Sequence, residues 1–60
     1  MVKVIRTYHG KLGVVTVTMY DEDGRTMYHV EHSYKPLCSH AWFIDRTEAI
    51  VHAQFLAGKY

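Results

Sequence analysis

The sequence predicts an α+β domain: a three-stranded antiparallel meander packed against one C-terminal helix. Three observations carry that expectation. Val14–Tyr20 is dense in β-branched residues and alternates, with Val15, Val17 and Met19 on one face and Thr16, Thr18 and Tyr20 on the other. Asp21-Glu22-Asp23-Gly24 follows directly and reads as a hairpin connection. Asp45-Arg46-Thr47-Glu48 has the spacing of a helix capping box, and Gly58 stands where a left-handed C-cap belongs.

The elements follow in order. Val2–Tyr8 favours strand, with Val2, Val4 and Tyr8 expected on one face and Lys3, Ile5 and Thr7 on the other. His9–Gly13 reads as a turn, because Gly10 and Gly13 supply permissive backbone. The acidic connection after Val14–Tyr20 predicts a type I turn closed by Gly24 in the left-handed position of a G1 bulge. Arg25–Tyr34 is the returning strand. Thr26, Tyr28, Val30, His32 and Tyr34 share one face; Arg25, Met27, His29, Glu31 and Ser33 share the other. Lys35–Ser39 is a loop, since Pro36 has no N–H for a ladder. Ala41–Ile44 fits either a short fourth strand or the lead into the helix.

In the helix, Ala49, Ile50, Ala53, Leu56 and Ala57 gather on one stripe at 100° per residue. The alanines there permit close approach to a sheet. Val51 and Phe55, spaced i and i+4, lie on roughly the opposite side. Three fates are open to that pair: cover by Trp42, Phe43 and the Pro36 loop, pairing with a second copy, or docking on a different protein.

Composition narrows the function classes. Sixty residues make one domain, 1–60, too small to enclose a substrate cavity of ordinary size. With 48% hydrophobic residues and one proline, the chain is expected to fold rather than stay disordered. No apolar run reaches the ~20 residues of a membrane span, and Met1–Arg6 has no apolar segment of signal-peptide type. A cytoplasmic location and no membrane partner are therefore expected. The single Cys38 agrees with a reducing compartment.

Five histidines and Cys38 raise the question of a metal. His29 and His32 differ by three positions on a strand and so face opposite sides, which leaves no standard ligand set. We expect no metal, no other cofactor and no catalytic residues. Cys38 and His40 lie in a loop with nothing to orient the base, and most carboxylates are taken by the turn and the helix cap.

What remains is binding. The favoured expectation is a non-enzymatic protein-interaction module, a regulator or inhibitor of the phage or prophage accessory type that binds and modulates a host protein. The contact residues would be Val51 and Phe55, with Trp42, His52 and Tyr60 at the rim, and the partner either a foreign protein or a second copy in a homodimer. The alternative is a nucleic-acid-binding module using Lys3, Arg6, Lys11, Arg25 and His29 on the outer sheet face. The β-β-β-α order, with Phe43–Ala49 as a strand exit running into a capped helix, is similar to small DNA-binding domains of the phage-integrase arm type. That resemblance implies a sheet that reads DNA and a helix that braces it, although this chain lacks the dense Arg and Lys of those sheets. A net charge of +1 also weighs against it, since counterion release needs several cations on one face.

Overall fold

The computed structural model describes all 60 residues. Strands β1 (Val2–His9), β2 (Val14–Glu22), β3 (Arg25–His32) and β4 (His40–Phe43) form one antiparallel sheet in that order, and α1 (Arg46–Lys59) packs on one face of it. The α+β meander with a C-terminal helix is thus the architecture, and the short fourth strand is present.

The β2–β3 connection is tighter than the sequence suggests. Glu22 pairs with Arg25, so only Asp23 and Gly24 form the loop, at φ 51° and 73°. Two successive positive φ values belong to a type I′ turn, whose twist matches that of the flanking strands. This replaces the predicted type I turn with a bulge. Gly24 adopts its conformation without a Cβ penalty, and a short acidic side chain tolerates the position before it.

A bulge at Ile5 reorganises β1. Val4 stands opposite Thr18 and Arg6 opposite Val17, which leaves Ile5 as the extra residue. Before the bulge, Val2 and Val4 share the outer face with Tyr20 and Thr18; after it, Tyr8 faces the core opposite Val15. The predicted grouping of Val2, Val4 and Tyr8 on one face is therefore broken. Ile5 packs against the core instead, and Lys3 lies opposite Met19 on the helix side. Strict alternation cannot anticipate an inserted residue.

The core lies between sheet and helix. Val15, Val17 and Val30 meet Ala49, Ala53 and Leu56, with Ile5, Tyr8, Tyr28, Phe43, Ala57 and Tyr60 packed around them. Ile50, expected in the buried stripe, is only half-buried at its margin. Only seven of the 60 residues are buried, so each central contact carries a large share of the stability. The seventh is His32. Its Nδ1 accepts from the Tyr34 N–H at 3.0 Å, which leaves the proton on a buried Nε2 that has no partner. The Tyr60 ring stands perpendicular to it at 6.2 Å. Tyr34 itself lies beyond the ladder, because β3 ends at His32 and a 3-10 turn over Lys35–Leu37 follows.

Asp45 caps α1, its Oδ1 accepting from the Thr47 N–H at 2.9 Å. The other end differs from expectation. The helix runs through Gly58 to Lys59 and closes with the Tyr60 N–H donating to the Leu56 carbonyl. Gly58 is an ordinary helical residue, not a left-handed cap. A tertiary tie is the physical reason. The Leu12 N–H donates to the Tyr60 carbonyl at 2.5 Å. A Cβ on Gly10 would come within 2.9 Å of Tyr60 backbone, so glycine is what lets the β1–β2 loop close over the helix end.

Two stability measurements check this packing. Ala53→Leu, at a fully buried helix–sheet contact, is expected to destabilise the fold by about 1–3 kcal/mol in urea denaturation. Gly58→Ala, in helical backbone with open space where the Cβ would go, is expected to stabilise it by about 0.5–1 kcal/mol.

Candidate functional site

Two surfaces carry apolar or aromatic groups that the fold does not use. The first is the outer face of α1. Because the helix commits Ala49, Ala53 and Leu56 to the sheet, the residues half a turn away project outward. Val51 is 58% exposed and Phe55 60%. With Phe43, Thr47, Glu48 and His52 they line an open groove of about 480 Å³. The half-buried Phe43 reaches this groove from the inner face of β4, its ring 5.2 Å from that of His52. Beyond the groove, Lys59 Nζ lies 5.7 Å from the Phe55 ring centroid and 5.3 Å from that of Tyr60. Ile44, 81% exposed, adds a further apolar side chain just before the helix.

Internal cover by Trp42 does not occur. Trp42 stands opposite His29 in the β3–β4 ladder, which puts it on the sheet face away from α1. Tyr60 also leaves the expected rim, because its ring packs beside the core and His32. Of the residues predicted to bind a partner, the structure brings Val51, His52 and Phe55 together, sets Trp42 on the opposite sheet face, and packs the Tyr60 ring beside the core with Lys59 Nζ near both it and Phe55. Phe43 is the member that sequence reading assigned to covering the pair rather than to the surface itself.

The second surface is the outer sheet face. Tyr20 from β2, His29 from β3 and Trp42 from β4 meet in a row. Trp42 lies 5.1 Å from Tyr20 and 4.6 Å from His29, between ring centroids. Trp42 remains 51% exposed. An open groove of about 510 Å³ borders it, lined by Tyr20, Glu22, Asp23, Arg25, Met27 and Trp42. The signal that could have found this row is the alternation in His40-Ala41-Trp42-Phe43. Once that segment is a strand, His40 and Trp42 must face away from Phe43.

The cations proposed for nucleic-acid contact do not converge. Arg25 and His29 share the outer face, but Lys3 points to the helix side, and Lys11 sits in the β1–β2 loop. Arg6 lies in the bulge with its guanidinium donating to the Ile5 carbonyl at 2.8 Å. Acidic Glu22 and Asp23 border the same aromatic row.

The histidines are dispersed in the same way. His29 Nε2 and His40 Nδ1 approach to 3.5 Å on the outer face, while His32 is buried on the inner one. No three His, Cys, Asp or Glu side chains are grouped to hold a metal ion. Cys38 is exposed in the turn after Pro36, at φ 48°. No helix is long and apolar enough to cross a membrane. No protein-family model, no curated protein and no solved structure matches the chain.

The contrast between core and surface aromatics is measurable. Trp42→Ala is expected to cost about 1 kcal/mol by urea denaturation, the scale of an exposed aromatic cluster, rather than the roughly 3–5 kcal/mol of a buried tryptophan.

Proposed function

We propose that this protein is a non-enzymatic interaction module that docks a protein through the outer face of α1. The observation that carries the reading is the exposure of Val51 and Phe55 on a helix whose other side already supplies the core. Two large apolar side chains beside a groove, rimmed by His52, Thr47, Glu48 and Lys59, have the make-up of a contact patch: an apolar centre with a polar border. Apolar side chains presented at i and i+4 on an exposed helix face are also common anchors of recognition. In its fuller form the reading is an accessory regulator, of the kind phages use, that binds and modulates a host protein.

A nucleic-acid-binding role is the second reading, and the row of Tyr20, His29 and Trp42 favours it. Aromatic rings exposed on an open sheet can stack on unpaired bases. Charge weighs against it. Arg25 stands beside Glu22 and Asp23, and Lys3, Arg6 and Lys11 lie elsewhere.

Val51→Ser with Phe55→Lys separates docking surface from core. The doubly substituted chain is expected to keep its circular dichroism and to melt within about 0.5 kcal/mol of the original stability, as exposed positions do, while association in solution is lost. Unfolding by these substitutions would return Val51 and Phe55 to the core and sink the proposal. For the second reading, retardation of single-stranded oligonucleotides at low salt that vanishes with Trp42→Ala is the deciding result.

A further inference from the structure

We infer that the outer face of α1 is covered by the same face of a second copy, the two helices running antiparallel about a two-fold axis. The inference rests on the reading of that face as a docking surface and names its occupant.

The pattern of the face is self-complementary. Glu48, Val51, Phe55 and Gly58 recur at alternating spacings of three and four along α1, and all are exposed. The spacing is that of a helix–helix seam, with Val51 and Phe55 as its apolar members and Glu48 and Gly58 at its ends. Its charges sit at opposite ends, Glu48 in the first turn and Lys59 in the last. An antiparallel pair centred between Val51 and Phe55 sets Val51 of each copy against Phe55 of the other. The same placement brings Glu48 of each copy to the helix end that carries Lys59 of the other. A parallel pair would instead set Glu48 against Glu48 and align the two helix dipoles unfavourably. The two-fold arrangement is therefore the one in which both ends are attractive, as an isologous interface requires.

Two further observations point to a second copy. Gly58 occupies a helical position where glycine costs about 0.5–1 kcal/mol relative to alanine. It has no left-handed φ and no atom near its missing Cβ, so nothing within one chain calls for it. In the antiparallel pair it lies opposite Glu48 and leaves room for that longer side chain. The core is also thin, with six buried apolar residues, and oligomerisation is a common support for domains of this size. Pairing would turn α1 into the central layer between two sheets. The aromatic rows of Tyr20, His29 and Trp42 would then face outward on both sides.

Size sets the strength. A helix of 14 residues spans roughly 21 Å, and a contact confined to one such face with two apolar side chains from each copy belongs at the small, exchanging end of interfaces.

Sedimentation equilibrium of the full chain, from low micromolar to millimolar protein, tests this. The mass is expected to rise from the 7.0 kDa of one chain toward twice that value, and Phe55→Lys to stay monomeric throughout with its helix content intact. Val51→Lys serves where Phe55→Lys fails to fold. Glu48→Lys and Lys59→Glu are each expected to weaken self-association roughly fivefold, since rim ion pairs are individually small. Mixed together, those two single variants should associate with each other more tightly than either does with itself, because every end of the mixed pair joins an acid to a base. A mass of 7.0 kDa at all concentrations overturns the dimer, and so does a mixture no tighter than its parts. A monomer that still captures a protein in a manner lost with Val51→Ser and Phe55→Lys would overturn the second copy as occupant and leave the docking surface standing.

Discussion

Contact between the alanine side of α1 and a three-valine patch on the sheet is the constraint from which the rest of the structure follows. Ala49 and Ala53 bring the helix backbone close to Val15, Val17 and Val30, and Leu56 seals one end. Because the alanines contribute little bulk, the sheet supplies the volume, and the strands must present their valines inward. That choice orients every other side chain. It sends Tyr20, His29 and Trp42 to the outer sheet face and Val51 and Phe55 to the outer helix face. The two unused surfaces are the complement of one small core.

Supporting ties keep that core in register. The Ile5 bulge swaps the face presented by β1 and feeds one more aliphatic side chain inward. The β1–β2 loop grips the C-terminal end of α1 through Leu12 and Gly10, and Tyr60 packs there against His32. A buried imidazole with an unpartnered N–H costs about 1–3 kcal/mol on its own. Its other nitrogen, bonded to the Tyr34 N–H, helps turn the chain out of β3 toward Pro36 and β4. The result is a thin sheet with the outer face of its one helix left uncovered at Val51 and Phe55.

Much of this was legible in the residues. The β2 and β3 faces follow from alternation, the Asp45 cap from its spacing, and the position of Val51 and Phe55 opposite the alanines from the helical period, whereas their exposure depends on what the Pro36 loop and β4 cover. Where the structure departs from local pattern, the causes are specific. Val2, Val4 and Lys3 take the opposite faces because the bulge at Ile5 breaks the two-residue period. Gly58 stays helical while Tyr60 closes the helix on the Leu56 carbonyl and is held from outside by the Leu12 N–H, a contact no local rule contains. Trp42 faces away from α1 because the register of β4 on β3 sets it opposite His29.

The sequence by itself determined the element types, the meander order and the inner faces of the central strands, because hydrophobic period and turn chemistry are local properties. Only the tertiary structure decided which exposed groups meet. Trp42 joins Tyr20 and His29 through cross-strand register, and Phe43 joins Val51, His52 and Phe55 across the helix–sheet boundary. Those meetings depend on contacts between residues far apart in the chain, which no local pattern encodes. The dispersal of Lys3, Arg6 and Lys11 away from Arg25 and His29 is settled in the same way, by register and bulge rather than by composition.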